Sequence, residues 1–226
     1  MTRRRKDVNK LLVEGKQDLF SIAYLLDHCI VWGDKDTVCV DGSLAYDGID
    51  DMLAPNEIET VLQAPGMEAI GIVVDANGDA QARWQQVRGH CLSVFPSLPG
   101  DLPPPGVLEA NSAGLRLGVW ILPDNQATGM LETLLAQLIP ASQATVFEYA
   151  KEAVATAQGR GAPVRPVHLD KAHIHTWLAW QDPPDPQLHQ AVLSRVLDPA
   201  SPFAQPFVEW FIRLFQLDDL RRPVTP

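Results

Sequence analysis

Long apolar runs are absent from the sequence. No stretch reaches the roughly 18 residues that a membrane-spanning helix needs, and no apolar signal segment follows the basic residues 3–6. We therefore expect a soluble, cytoplasmic protein with no membrane partner. Cysteine is also scarce. Cys29, Cys39 and Cys91 form no CxxC pair, so we expect neither a disulfide framework nor a thiolate zinc site.

Positive charge is in short supply as well. The chain carries 28 acidic and 18 basic residues, a net charge of −10. A protein that coats nucleic acid depends on many Lys and Arg contacts to phosphates, so this class is not expected. An enzyme that binds divalent cations through clustered carboxylates remains compatible, because the bound metals reverse the local field. The sequence has no GxxxxGK[ST] motif, which excludes a P-loop NTPase.

Short aliphatic runs alternate with helical patterns over the first part of the chain, which predicts βαβ units and a mostly parallel sheet. We predict strands at 10–13, 37–40, 69–74 and 117–122, and helices at 18–28, 55–63 and 79–90. Beyond these we predict helices at 128–138, 142–157, 170–180, 186–196 and 206–217. The expected fold class is α/β, with a core over residues 1–140 and a mainly helical C-terminal extension over 141–226 packed on it.

Three predicted strands are followed by an acid. Glu14 follows the first, Asp75 follows the strand at 69–74, and Asp124 comes two residues after the strand at 117–122. The carboxyl ends of parallel strands lie at one edge of a sheet, so we expect these carboxylates to be neighbours. Oxygen ligands of this kind suit Mg²⁺ or Mn²⁺. The pattern predicts a divalent-cation site at that edge.

Further candidate ligands stand near these acids. Asp18 lies one helical turn beyond Glu14, Asp79 opens a predicted helix, and Glu132 lies in the first turn of another. The alternative is that Asp18 and Asp79 cap helices and that Glu132 only opposes a helix dipole. Lys171 also begins a predicted helix, where the dipole opposes its charge unless it faces acids or a phosphate.

Two short motifs resemble those of Toprim domains. Residues 12–18, Leu-Val-Glu-Gly-Lys-Gln-Asp, resemble the first motif, and residues 71–77, Gly-Ile-Val-Val-Asp-Ala-Asn, resemble the second. Nearly the whole chain is similar to a bacterial family of unknown function that is related to the overcoming-lysogenization-defect nucleases. The resemblance implies a Toprim fold with two bound divalent cations, Mg²⁺ or Mn²⁺, and metal-dependent phosphodiester cleavage.

The resemblance also implies a role for each candidate residue. Glu14, Asp18, Asp75 and Asp79 become metal ligands, with Asp124 and Glu132 as a second group. Asn77 stands where the family has its second Asp, and it can ligate through its amide oxygen but brings no charge. Glu14 and Lys171 are the candidate catalytic residues, with Lys171 offsetting charge in the transition state.

The expected function is therefore a two-metal nuclease with nucleic acid as its partner, and DNA is favoured over RNA. Because the related nucleases carry an ATPase domain that this chain lacks, a separately encoded ATPase is an expected partner. One alternative is a non-catalytic, Toprim-like regulatory or interaction subunit of an ATPase-associated complex, which Asn77 and the acidic composition favour. Another is a phosphoryl-transfer enzyme of the haloacid-dehalogenase kind, although its nucleophilic Asp normally follows the first strand, where this chain has Glu14.

Overall fold

Five strands pair into a single sheet in a computed structural model that describes residues 5–32 and 40–222. They are β1 (Asn9–Val13), β2 (Asp41–Ala45), β3 (Ala69–Asp75), β4 (Val107–Ala110) and β5 (Arg116–Leu122). Their order is β2-β1-β3-β5-β4, with β1, β2, β3 and β5 parallel and β4 antiparallel to β5. The predicted α/β class with a mostly parallel sheet is confirmed.

Helices flank the sheet and continue to the C-terminal end of the described chain. They are α1 (Arg5–Val8), α2 (Lys16–Asp27), α3 (Ile49–Met52), α4 (Glu57–Leu62), α5 (Ala80–Cys91), α6 (Leu131–Ala136), α7 (Ala144–Gly159), α8 (Leu169–Leu178), α9 (Leu188–Leu193) and α10 (Gln205–Phe215). Among the described residues, none of the helices has both the length and the apolar character needed to cross a membrane.

Most predicted elements are present, with shifted ends. The strand predicted at 37–40 falls largely on residues 33–39, which lie outside the described residues together with Cys39; the strand described next is β2. Neither α3 nor β4 was predicted. Both are only four residues long, too short for a helical or alternating pattern to stand out, and β4 pairs with β5 across a turn at Gly114, whose φ is 86°.

Alternation along the strands divides the core into two layers. Leu11 and Val13 of β1 belong to one layer, together with side chains of α2, α6, α8, α9 and α10. Leu12 faces the other layer, which includes Trp84 and Val87 of α5. The side-chain period of two in a strand produces this division. The sheet is therefore covered on both faces, as an all-parallel core requires.

Two glycines let α10 lie close against the sheet. Gly71 of β3 and Gly118 of β5 are direct neighbours in register. A Cβ at Gly118 would lie 2.5 Å from a methyl carbon of Leu214 and 2.9 Å from the ring of Trp210. The helix therefore occupies the space that two side chains would otherwise fill. The C-terminal helices pack on the core as expected, and the division into residues 1–140 and 141–226 stays a prediction.

Candidate functional site

The ends of β1 and β3 meet at one edge of the sheet. Glu14 directly follows β1, and Asp75 is the last residue of β3. The backbone N–H of Asp75 donates a hydrogen bond to Glu14 Oε1 over 2.8 Å. Both strands are parallel neighbours, so their carboxyl ends must lie side by side. The first two candidate acids are thus brought together as the sequence indicated.

Asp18 joins them from the first turn of α2. Its carboxylate lies over Gly15, where an added Cβ would stand only 2.9 Å from Asp18 Oδ2. Glycine at this position therefore leaves room for the side chain of Asp18 to turn back toward the strand ends. Glu14 and Glu132 both act electrostatically on Asp18, which places the three carboxylates in one cluster.

Glu132 reaches the site from the first turn of α6, the helix that follows β5. The N–H of Leu131, at the start of α6, donates to Asp75 Oδ1 over 2.9 Å, which holds the first turn of α6 against the end of β3. Glu132 is the next residue in the sequence and is only 6% exposed. Its Oε1 lies 3.0 Å from Nζ of Lys171, whose side chain is 52% exposed. We call Glu14, Asp18, Asp75 and Glu132 the carboxylate cluster.

A second set of hydrogen bonds holds α6 and α8 in place around the cluster. The hydroxyl of Thr133 accepts from the N–H of Met130 over 3.0 Å and donates to Asp170 Oδ2 over 2.5 Å. Asp170 directly precedes Lys171 in the first turn of α8. The contact between Thr133 and Asp170 therefore fixes the start of α8, so that Lys171 reaches Glu132.

The positive side chains around the carboxylate cluster do not balance its negative charge. Burial raises the pKa of Asp75 to about 8, and the charges of Glu14, Asp18 and Glu132 add to the effect. Burial, together with Glu14 and Glu132, raises the pKa of Asp18 to about 6. Burial opposes the charge of Lys171, but Glu132, Asp75 and Asp18 outweigh it and raise the lysine pKa. Without a bound cation, Asp75 is therefore protonated near neutral pH.

Arg83 is a site residue that the sequence interpretation missed. Its Nε donates to the backbone oxygen of Asp75 over 2.9 Å, and its charge favours the ionised form of Glu14. Burial still raises the pKa of Glu14, against this charge and the hydrogen bond from Asp75. A signal was available. Arg83 lies in the first turns of the helix after β3, and helical side chains lean back toward the N-terminus of their helix.

Three other candidates lie in turns near the sheet edge. Asp79 caps α5 by accepting from the N–H of Ala82 over 2.9 Å, as the alternative interpretation has it. Asp124 Oδ1 accepts from the N–H groups of Gln126 and Ala127 over 3.0 and 2.7 Å. Asn77 has a φ of 52° and exchanges two backbone hydrogen bonds with Gly129. Their roles as metal ligands stay predictions.

The donor set suits a hard divalent cation, because every member is a carboxylate oxygen and the cluster is short of positive charge. Across residues 5–32 and 40–222, no group of three or more His, Cys, Asp and Glu side chains is arranged so that it could hold a metal ion as it stands. Within the described site, Lys171 Nζ binds an oxygen of Glu132. The carboxylates would therefore have to move to hold a cation.

Comparison with known proteins places the chain in a family. The model of the family described as "Protein of unknown function (DUF3226)" matches residues 8–216. The chain belongs to this family. Neither the curated proteins nor the solved structures provide a match. The part of the chain shared with the DUF3226 family includes the carboxylate cluster together with Arg83 and Lys171.

Proposed function

We propose that this DUF3226 protein is a Mg²⁺- or Mn²⁺-dependent phosphodiesterase that hydrolyses nucleic acid, in the manner of Toprim nucleases. The observation that carries the proposal is the carboxylate cluster. Four acids from β1, α2, β3 and α6 gather at the carboxyl edge of a parallel sheet, where ligand sites of α/β proteins form. The Toprim-like motifs of residues 12–18 and 71–77 contribute three of the four.

The residues present divide the work in the proposed reaction. Glu14, Asp18 and Asp75, with Glu132, would hold the cations, for which we propose two sites. Bound Mg²⁺ or Mn²⁺ supplies an activated water and neutralises charge on the phosphate. Lys171 is half exposed at the rim, so its ammonium can donate to a phosphate oxygen while Glu132 keeps it in place. The Thr133–Asp170 hydrogen bond orients the helix that carries this lysine.

The proposal extends to partners. A net charge of −10 gives the isolated chain little general affinity for nucleic acid, because such affinity depends on neutralised phosphates. We therefore propose that a separately encoded ATPase delivers DNA to the site or holds the protein inactive. We also propose a cytoplasmic location for the protein. Affinity purification of the tagged protein from its native host, followed by mass spectrometry, tests this part. Strong cleavage by the isolated chain, with no ATPase recovered, would contradict it.

Cleavage assays test the activity itself. Supercoiled, linear and single-stranded DNA, and RNA, are incubated with the protein in Mg²⁺, in Mn²⁺ and in EDTA. We expect cleavage of DNA only with a cation, and none by Asp75→Asn. Glu152→Gln, which removes an exposed acid on α7, is the matched control and should cleave normally. If the wild-type protein, alone at high concentration and together with any ATPase recovered with it, cleaves no nucleic acid with either cation, the nuclease proposal is wrong.

A second candidate function is a non-catalytic Toprim-like subunit. The observation in its favour is that Glu132 is already paired with Lys171, so that the ammonium takes part of a cation's place. Calorimetric titration with Mn²⁺ separates the two candidates. A nuclease must bind the cation at the carboxylate cluster, with loss of binding in Asp75→Asn. A regulatory subunit of this kind would show no such binding.

A further inference from the structure

Two hydrogen bonds hold the Arg83 side chain at the sheet edge, and they use only part of its guanidinium group. Nε donates to the backbone oxygen of Asp75, and Nη1 donates to Gln86 Oε1, each over 2.9 Å. Asp75 is at the half-buried strand end and Gln86 is on the exposed side of α5, so the guanidinium spans from the site to the surface. Nη2 takes part in neither of these two hydrogen bonds within the described part of the chain. That nitrogen keeps two N–H donors for a ligand.

Arg83 and Lys171 approach the carboxylate cluster from opposite faces of the sheet. Arg83 is carried by α5, whose Trp84 and Val87 pack in one core layer. Lys171 is carried by α8, whose Ile174 and Trp177 pack in the other layer. Arg83 acts electrostatically on Glu14, whereas Lys171 pairs with Glu132 and also acts on Asp75 and Asp18. The cluster is therefore flanked by one positive side chain on each side of the sheet edge.

We propose that Arg83 binds a phosphate next to the one that is cleaved, so that a polynucleotide backbone crosses the sheet edge from the α5 side to the α8 side. The inference rests on the proposed function and adds to it the direction of the substrate and a residue that binds it. A chain of phosphates needs this help because the protein as a whole carries a net charge of −10. A guanidinium fixed at one end by a backbone oxygen presents its remaining donors to a phosphate with little loss of freedom.

The same geometry gives the substrate class. A ligand that contacts Arg83 and Lys171 at once must carry phosphates on both sides of the cluster, which a polynucleotide does and a mononucleotide diester does not. Arginine suits this contact better than lysine, because its planar fork can donate two hydrogen bonds to one phosphate. Sequence preference is not implied, since phosphate contacts position a nucleic acid and do not identify its bases.

Binding measurements on the full chain test the inference without depending on cleavage. The probe is a fluorescein-labelled single-stranded oligodeoxynucleotide, bound in Ca²⁺ at several salt concentrations and followed by anisotropy. Arg83→Gln should weaken binding roughly tenfold, because it removes a charged hydrogen-bond donor. The slope of log affinity against log salt should fall in magnitude by about 0.7, the value for one phosphate contact on a single strand.

Two variants make the result specific to Arg83. Arg83→Lys keeps the charge and should restore the salt slope while recovering part of the affinity. Arg213→Gln removes an exposed arginine on α10 and serves as the matched charge control, with wild-type slope and affinity. Thermal melting of each variant is recorded alongside. A purely structural role of Arg83 would lower the melting temperature of Arg83→Gln without changing its salt slope.

Each outcome decides the inference. An unchanged slope in Arg83→Gln, an equal loss in Arg213→Gln, or no recovery in Arg83→Lys would overturn it. So would a wild-type protein that does not bind the probe. If wild-type protein binds with the expected slopes but cleaves nothing in Mg²⁺ or Mn²⁺, either alone or with any ATPase recovered with it, the nuclease proposal fails while the phosphate contact of Arg83 stands. The two failures are thus distinguished.

Discussion

Replacing Asp75 by Asn should stabilise the cation-free protein at neutral pH. The folded chain holds a proton on Asp75 up to about pH 8, because burial and the charges of Glu14, Asp18 and Glu132 oppose ionisation. The unfolded chain loses that proton near the ordinary value of 3.8. Between these values the folded state binds more protons, so its stability is greatest at low pH and falls as the pH rises.

The magnitude follows from the two pKa values. Stability changes by about 1.4 kcal/mol for each pH unit over which one proton is held only by the folded state. Between pH 3.8 and pH 7 the cost of Asp75 is therefore at most about 4 kcal/mol. Asn mimics the protonated acid and keeps an oxygen for the N–H of Leu131. We expect the free energy of unfolding of Asp75→Asn to exceed that of the wild type by roughly 2–4 kcal/mol at pH 7.

Urea unfolding in EDTA at pH 5, 6, 7 and 8 measures this effect. The wild-type free energy of unfolding should fall steadily across the series, and that of Asp75→Asn should fall much less. Glu152→Gln, at an exposed acid, should follow the wild-type curve. With saturating Mn²⁺ the order should reverse, because a cation that binds only the folded wild type stabilises it. Wild-type stability that is flat or rises from pH 5 to 8 in EDTA, or a variant no more stable at pH 7, would refute the reasoning.

Three further results are expected. Asn77→Asp should bind Mn²⁺ more tightly in calorimetry, because it adds the charge that the Toprim motif carries; weaker or equal binding would show that residue 77 does not serve the site. Gly118→Ala should lose about 1–3 kcal/mol in urea unfolding, since its Cβ would overlap Leu214, and an unchanged midpoint would contradict the close approach of α10. Lys171→Met should lose about 1–3 kcal/mol in EDTA by leaving Glu132 without its partner, and adding Glu132→Gln should restore most of it; no recovery would contradict that pairing.

The convergence of Glu14 and Asp75 could be predicted because it depends on topology more than on detail. Each acid closes a run of buried aliphatic residues, and parallel strands that are neighbours must end at the same edge. The placement of these two acids therefore follows from strand order once the sheet is parallel. Asp18 and Glu132 join them from the first turns of α2 and α6.

Asp124 shows why the same rule is incomplete. It also follows a buried strand, β5, but its carboxylate accepts the N–H groups of Gln126 and Ala127 in the next turn. Short polar side chains readily bind backbone groups two or three residues away, and this local interaction competes with a distant site. The sequence does not show which of the two prevails. Asp79 makes the same local choice as a helix cap.

Arg83 was missed for the opposite reason. Its contact to the backbone oxygen of Asp75 spans eight residues and depends on the angle at which α5 leaves the sheet. Its place early in α5 was a signal, but that angle depends on the packing of Trp84 and Val87 in the core layer beneath, which the local sequence does not give. Gly71 and Gly118 are a comparable case. The reason for glycine at these positions is the close approach of α10 to the two strands, which depends on the tertiary structure.

The part of the chain that the sequence pattern separates as an extension is needed for the site. Lys171 comes from α8, beyond the predicted boundary at residue 140, and its ammonium lies 3.0 Å from Glu132 of the predicted core. The hydrogen bond from Thr133 to Asp170 crosses the same boundary. An acidic cluster that is destabilising alone is thus partly compensated by a helix from the later segment. The contacts that pack this segment against α6 therefore also bring Lys171 to the site.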